Sequence, residues 1–224
     1  MVKIVRMDFK VLWLKLAYRT GIKNIKNEYE EFLTKAKEKR IVLCNATQMA
    51  SFFAKKKVPS RCVALIHDVD YENGKNNIHK VLDIERRHKV VSTFFVRPHK
   101  YSLELLKKLP RQWEIGLHGE FKRVNRIEKA IEQKKALEKL IGRKVVGVSM
   151  HKGNWEGNRT IAAAEKAGFL YITSYFKRKG KIITLPYEAS DISSTRNFKY
   201  LNNLLEKNLP KKFVLVVNTH ADYF

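Results

Sequence analysis

The chain has 224 residues, of which 44% are hydrophobic and 30% are charged, a balance typical of a folded globular protein. Lys and Arg outnumber Asp and Glu by 46 to 22, which gives a formal net charge of +24. This charge favours anionic partners, such as nucleic acid, acidic glycans or phospholipid, without choosing among them. The only two cysteines, Cys44 and Cys62, exclude a disulfide scaffold and a cysteine-rich zinc site.

The sequence predicts no transmembrane segment and no signal peptide. The longest apolar run near the start, residues 11–14, is ended by Lys15, and no small-residue cleavage site follows it. We therefore expect a cytoplasmic protein. An apolar helical face in this region would suit a membrane surface, although packing against the protein's own domain is the more common use of such a face. That face consists of Phe9, Leu12, Trp13 and Leu16.

The first part of the chain has a mostly helical pattern. Residues 24–39 read as a surface helix, a short apolar run follows at 41–44, and Asn45 can cap a further helix. This region contains no recognisable chemistry. We interpret residues 1–60 as an N-terminal helical extension packed on a main domain of residues 61–224.

From residue 61 onward, short apolar runs alternate with amphipathic segments, which predicts a parallel α/β fold. Seven strands joined by short links favour an irregular (β/α)7-type barrel over an open sheet. No Gly-rich phosphate loop follows the first strand, which disfavours a nucleotide-binding sheet. The predicted strands are 62–67, 90–96, 113–117, 145–148, 169–172, 182–185 and 213–217. The predicted helices lie at about 75–88, after Ser102, and at 126–141, 158–166 and 198–205.

The first predicted strand ends in an unusual cluster of polar residues. Five apolar residues from Cys62 to Ile66 indicate a strand buried on both faces, and His67-Asp68-Val69-Asp70 follows directly. Asp68 and Asp70 are two residues apart, so extended backbone points them to the same side. Two carboxylates and an imidazole suit a divalent cation. The alternative is an ordinary strand end whose Asp side chains cap a turn.

Four of the seven histidines end predicted strands, namely His67, His118, His151 and His220. In a parallel barrel, the carboxyl ends of all strands meet at one face, where the active sites of such folds lie. Histidines and aspartates gathered there have the ligand chemistry of a His/Asp site for zinc or a similar metal. Three protein ligands and one water molecule would form a hydrolytic centre.

From about residue 61 to 224 the chain resembles the polysaccharide deacetylase family, the NodB-homology carbohydrate esterases. The matching pieces are His67-Asp68-Val69-Asp70, Ser92-Thr93-Phe94-Phe95-Val96 and Glu114-Ile115-Gly116-Leu117-His118-Gly119. Ser149-Met150-His151 and Thr219-His220 are similar to the later motifs of a divergent branch. The resemblance implies an irregular (β/α) barrel. It also implies that Asp68 is the catalytic base, that Asp70 and His118 are metal ligands, and that His220 is the general acid.

Two departures from the family pattern affect the expected ligand set. Lys122 stands where the family has a second metal-binding His, and Ser149-Met150-His151 stands near the place of an absent arginine-containing motif. We assign His151 as the third ligand because no other strand-end His lies between His118 and His220. Two alternatives remain open. His67 could be a ligand instead, although it shares the parity of Val69 and so turns away from Asp68 and Asp70. Glu120 could offer a ligand oxygen or serve as an ordinary turn carboxylate.

These observations predict a metal-dependent hydrolase that removes an acyl group, acetyl, from an N-acetylated sugar or polysaccharide. The expected cofactor is a divalent metal, with zinc as the first choice. The substrate would be a carbohydrate or a small amide, and the basic charge is compatible with an anionic one. Trp155 and Tyr187 are the expected substrate-binding aromatics. Tyr71 and Tyr175 are further candidates, although aromatic residues in such loops often serve only to pack.

Two other functions are compatible with the sequence. One is hydrolysis of another non-peptide C–N bond on the same scaffold, in a cyclic amide or imide, because a fold does not determine its substrate. The other is a catalytically degenerate protein that binds a polyanion or nucleic acid, which the charge of +24 suggests. The chain contains no recognisable nucleic-acid motif, so we expect no specific nucleic-acid partner.

Overall fold

A computed structural model describes most of the chain. The described residues are 25–70, 72–98, 109–122, 124–151, 155–174, 181–186, 189–190, 197–207 and 209–224. The predicted apolar face at residues 9–16 and the predicted helix after Ser102 lie outside them.

The described strands form one nine-stranded sheet in which every pairing is parallel. The order is β7-β6-β5-β4-β3-β2-β9-β8, and β1 lies beside the first half of β2. The sheet curls into a half-barrel, which confirms the prediction of an irregular barrel of the (β/α)7 type. The strands are β1 Val42–Cys44, β2 Arg61–Asp68, β3 Thr93–Val96, β4 Glu114–Gly119, β5 Gly147–Met150, β6 Tyr171–Ser174, β7 Ile183–Pro186, β8 Ala189–Ser190 and β9 Phe213–His220.

Amphipathic helices alternate with these strands, as the sequence pattern predicts. Within the described residues, no helix is both long and apolar enough to cross a membrane. The cytoplasmic location stays a prediction. The helices are α1 Ile25–Glu38, α2 Ala46–Ala54, α3 Glu72–Arg87, α4 Arg126–Ile141, α5 Asn158–Lys166 and α6 Phe198–Glu206, and a short 3-10 helix, Ala221–Tyr223, follows β9.

All seven predicted strands are present, and two short strands were not predicted. β1 coincides with the apolar run at 41–44, which pairs with the start of β2 and so brings the region before residue 61 into the sheet. β8 has only two residues, too few for an apolar pattern to reveal it. The division of the chain at residue 60 stays a prediction.

The buried faces of β2 explain how the site is oriented. Ala64 and Ile66 belong to an inner apolar cluster that also contains Phe95, whereas Val63 and Leu65 belong to the larger outer cluster beneath the helices. Continued alternation directs Asp68 to the inner side and His67 to the outer side. The strand is therefore buried on both faces, as its uninterrupted apolar run predicts.

A buried carboxylate on the outer side ties the first helix to the rest of the fold. Glu85 of α3 is fully buried and accepts hydrogen bonds from Tyr29 Oη at 2.8 Å, Ser92 Oγ at 2.9 Å and Trp113 Nε1 at 2.5 Å. His67 Nε2 lies 2.9 Å from the same carboxylate. These contacts satisfy a group that would be costly to bury alone. His67 is therefore part of a structural cluster and does not face the inner side.

The contact between Tyr29 and Glu85 gives a stability prediction. We expect Tyr29→Phe to lower the free energy of unfolding by about 1.5–3 kcal/mol, because a buried carboxylate loses one donor. Urea denaturation of the full chain measures the change. Tyr200→Phe is the matched control, since Tyr200 is 42% exposed and its loss should matter little. Equal urea midpoints for Tyr29→Phe and the native chain would contradict this role for α1.

Candidate metal centre

Three side chains meet at the carboxyl ends of β2, β4 and β5. His118 Nε2 lies 3.0 Å from Asp70 Oδ1, and His151 Nε2 lies 3.6 Å from the same oxygen. One potential ligand atom of each residue lies within 4.8 Å of the other two. Asp70 and His118 are buried and His151 is partly buried. The cluster is therefore a candidate metal site, and it comprises the three residues predicted as ligands.

The strand register brings these residues to one level. Asp68, Phe95 and Gly116 are partners across β2, β3 and β4. Asp70 and His118 each lie two residues further along, so they share a level and an inward direction. A Cβ added at Gly116 would lie 2.4 Å from Phe95 Cε1, so glycine is required for the Phe95 ring to occupy this position. Phe95 is fully buried in the inner cluster, directly below the polar level.

The spacing of the donor atoms fits a small tetrahedral cation. Metal–ligand distances of 2.0–2.2 Å, typical of zinc, place neighbouring ligand atoms about 3.3 Å apart. The distances of 3.0 and 3.6 Å to Asp70 Oδ1 lie on either side of that value. Two imidazole nitrogens and one carboxylate oxygen also match a catalytic zinc site, in which the fourth position belongs to water or substrate.

Glu120 and Arg97 orient His151. His151 Nδ1 lies 2.8 Å from Glu120 Oε1, and Arg97 Nη2 donates to the same oxygen at 2.5 Å. Arg97 Nη1 donates to the main-chain carbonyl of Asp70 at 3.0 Å. An ionised carboxylate only accepts hydrogen bonds, so His151 carries its proton on Nδ1 and presents Nε2 to Asp70. Glu120 therefore orients His151, which is a different role from the direct metal ligation that the sequence left open.

The electrostatics of the site favour a neutral His151. Burial lowers the pKa of His151 below its ordinary value, and the nearby His118 and Arg97 lower it further. Asp70 and Glu120 act in the opposite direction without reversing the shift. Neutral imidazole is the form that binds metals, so His151 keeps that form to a lower pH than an ordinary histidine would.

Asp68 has one oxygen fixed and the other directed toward the site. Asn218 Nδ2 of β9 donates to Asp68 Oδ2 at 2.8 Å. Asp68 Oδ1 lies 3.7 Å from His118 Nδ1, and neither atom has a hydrogen-bond partner among the described residues. Asp68 is only 5% exposed. A buried, oriented carboxylate oxygen of this kind can accept a proton from a molecule bound in the site.

His220 lies next to Asp68 on the neighbouring strand. The two residues are register partners between β2 and β9, and adjacent strands lie about 4.8 Å apart. His220 is 9% exposed and its ring packs beside Tyr223, with the ring centroids 5.7 Å apart. The structure therefore places both predicted catalytic residues at the same end of the sheet as the three predicted ligands.

Of the predicted substrate-binding residues, only Trp155 is among the described residues. Trp155 is partly buried and packs against the outer hydrophobic cluster, and Tyr187 lies outside the described residues. Tyr71 and Tyr175 lie outside them as well. Lys122 is partly buried in the segment after β4. Sugar binding by these aromatics stays a prediction.

Sequence reasoning missed two residues of the site, Arg97 and Asn218. Each follows a buried strand segment with the parity of an inward-facing position, and Asn218 stands two residues before His220. A polar side chain at an inward position near a strand end is the signal that could have identified both.

The fold is shared with carbohydrate deacetylases. No protein-family profile and no curated protein sequence matches the chain. Among solved structures of similar fold is IcaB from Ammonifex degensii, with a TM-score of 0.64 and 12% identity over 81% of this chain and 89% of that one. Another is the Streptococcus pyogenes deacetylase PplD in complex with acetate, with a TM-score of 0.61 and 11% identity over 84% and 92% of the two chains.

A CE4-family pseudoenzyme from Bacillus anthracis has a similar fold too, with a TM-score of 0.50 and 17% identity over 71% of this chain and 54% of that one. The structural neighbours include proteins described as polysaccharide deacetylases and a CE4-family pseudoenzyme, which confirms the resemblance noted in the motifs. Identities this low establish a common fold, and the chemistry has to be argued from the site itself.

The donor geometry predicts which histidines hold metal. After incubation with zinc and dialysis, we expect the native chain to retain about one equivalent, and His118→Ala and His151→Ala to lose it because each removes one of three ligands. Elemental analysis of the purified protein measures the content. His79→Ala is the control, because His79 is exposed on α3. Full metal content in His151→Ala would place the third ligand elsewhere.

The contact between Glu120 and His151 gives a separate prediction. We expect Glu120→Gln to weaken zinc binding about tenfold or more, since a neutral amide orients the imidazole less strongly than a carboxylate. Competition with a chromogenic chelator measures the affinity without any substrate. Glu132→Gln, an exposed position on α4, is the control for the change of charge. An unchanged zinc affinity in Glu120→Gln would show that His151 needs no such support.

Proposed function

We propose that this protein is a metal-dependent hydrolase that removes an acetyl group from an N-acetylated sugar or polysaccharide. The observation that carries the proposal is the cluster of Asp70, His118 and His151 beside Asp68 at the carboxyl end of a half-barrel. The fold shared with carbohydrate deacetylases supports it. In this proposal residues 61–224 form the catalytic domain and residues 1–60 an extension packed on it.

We assign a divalent cation, zinc, to the three ligands because two imidazoles and one carboxylate suit that ion. Such a cation, when bound, polarises an amide carbonyl and makes a water molecule more acidic. Asp70, His118 and His151 would hold it, and Glu120 and Arg97 would keep His151 in the ligating orientation. The buried position of the cluster keeps bulk water away and strengthens these interactions.

The proton transfers are assigned to Asp68 and His220. Water attacks the carbonyl carbon, and Asp68 takes the proton of that water through the oxygen that Asn218 leaves available. The C–N bond then breaks, and His220 gives its proton to the departing nitrogen. The products are acetate and a free amine. Trp155 and Tyr187 are proposed to contact the sugar.

The division of labour between Asp68 and His220 can be tested with an N-acetylated oligosaccharide by following acetate release. We expect Asp68→Asn and His220→Ala each to lower turnover by roughly a hundredfold or more, the usual scale for a positioned acid or base. Metal content should be almost unchanged in both variants, because neither residue is a proposed ligand. Loss of metal from either variant would contradict its assigned role.

The pH dependence separates the two roles. The base must be ionised, so the rate rises as pH rises through its pKa, and the acid must be protonated, so the rate falls as pH rises through its pKa. The native profile should therefore be bell-shaped. In His220→Ala the fall at high pH should disappear, because no imidazolium remains to lose its proton. If that fall persists, another group is the acid.

A further inference from the structure

The end of the sheet opposite the metal centre is strongly basic. All described strands are parallel, so the connections that lead into them lie at one end of the sheet. Seven of these lead-in segments contain many Lys and Arg residues and no Asp or Glu, whereas the two residues before β8 include Glu188 and β4 itself begins with Glu114. The seven segments are 39–41, 55–60, 88–92, 109–113, 142–146, 181–182 and 207–212.

The cations of this end lack the ion pairs that several helical cations form. On the helices, Lys35 pairs with Glu31 and Arg87 pairs with Glu30. Among the described residues, the strand-entry cations form no ion pairs. The most concentrated of them are Lys55, Lys56, Lys57, Lys144, Lys211 and Lys212, all of which are exposed.

Two local features show how densely the charge is gathered. Burial lowers the pKa of Arg143, the neighbouring Arg111 lowers it further, and Glu114 acts in the opposite direction. Arg40, Lys56 and Lys89 each follow a helix end with φ near +50°, a conformation in which glycine is usual. Lys or Arg therefore occupies three positions whose backbone conformation favours glycine, which has no side chain.

Exposed apolar side chains accompany this charge. Val42 begins β1 and is 40% exposed, Phe53 lies in the last turn of α2 and is 40% exposed, and Leu170 precedes β6 and is 58% exposed. A recess of about 590 Å³ lies between α2 and the starts of β6 and β7, and its lining includes Leu170, Ile182, Lys181 and one acidic residue, Glu165. Among the described residues, three of the five exposed large hydrophobic side chains therefore lie at this end of the sheet.

We propose that this basic end, the strand-entry face, docks on an anionic phospholipid surface. Cations that lack acidic partners attract anionic headgroups, and Phe53 and Leu170 enter the boundary between headgroups and acyl chains. Electrostatic attraction and apolar insertion together are the combination that peripheral membrane association requires. A soluble polyanion would use the cations and leave the apolar side chains in water, so a membrane accounts for more of the surface.

Docking in this orientation leaves the metal centre accessible. β2 and β9 each have eight residues, so their two ends lie about 23 Å apart at a rise of about 3.3 Å per residue. The carboxyl ends of the strands, with Asp70 and His118, therefore face away from the bilayer. Docking would hold the protein beside a membrane and would not close its site.

The test uses the full chain with vesicles of phosphatidylcholine alone or mixed with phosphatidylglycerol, assayed by co-sedimentation. We expect binding to the mixed vesicles only, and binding that weakens as salt is added. Replacing Lys55, Lys56 and Lys57 together by Gln should lower partitioning roughly a hundredfold, because each of these cations contributes about fivefold near an anionic surface.

A matched triple variant, Lys26→Gln with Lys129→Gln and Lys135→Gln, removes the same charge from exposed helical positions. It should bind vesicles almost as the native chain does. Phe53→Ser should weaken vesicle binding and leave retention on a heparin column unchanged, which separates a lipid surface from a soluble polyanion. Thermal melts confirm that each variant is folded.

Three results would overturn the proposal. The first is equal loss of vesicle binding in the two triple variants, since general charge would then explain the association. The second is unchanged vesicle binding in Phe53→Ser, which would assign the face to a soluble polyanion. The third is tight binding to heparin or single-stranded DNA with no binding to either kind of vesicle.

Discussion

The alternation of β2 between two buried sides is the constraint on which the rest of the site depends. The inner side carries Ala64 and Ile66 and continues to Asp68 and Asp70, while the outer side carries Leu65 and continues to His67. A one-residue shift in the register of β2 would bury Asp68 and Asp70 against the outer core. It would also turn the His67 imidazole toward the inner side. The pairing of all eight residues of β2 with β9 opposes such a shift, and it also sets His220 beside Asp68.

The buried charges of the two sides are stabilised by different means. On the outer side, Glu85 is surrounded by neutral donors, Tyr29 and Trp113 among them, and it joins α1 to the sheet. On the inner side, Asp70 contacts two imidazoles, and Asp68 retains an oxygen without a hydrogen-bond partner among the described residues. This difference in hydrogen bonding is the reason for proposing the reactive carboxylate on the inner side.

The ends of single strands could be predicted from the sequence because apolar runs stop abruptly at His67 and His118, and His151 follows another such run closely. The partners across strands could not, because register is a long-range property. Glu120 illustrates the difference. From the sequence it was a turn carboxylate or a ligand, and only the position of Arg97, at the end of β3, shows that Glu120 is held where it contacts His151. Similarly, Asn218 acquires a role only when β9 lies beside β2.

Parallel topology also separates charge along the molecule, and helix dipoles account for part of that separation. The carboxyl end of each helix carries partial negative charge and lies near the start of the next strand, where a cation is stabilising. Lys89 after α3 and Arg143 after α4 fit that role. A helix dipole acts only within its last turn, so one helix end stabilises only a cation next to it. The three consecutive lysines after α2 carry more positive charge than that, and so does the Lys211-Lys212 pair directly before β9. The excess charge increases self-repulsion in the folded protein, and an anionic surface is the kind of partner that would relieve it.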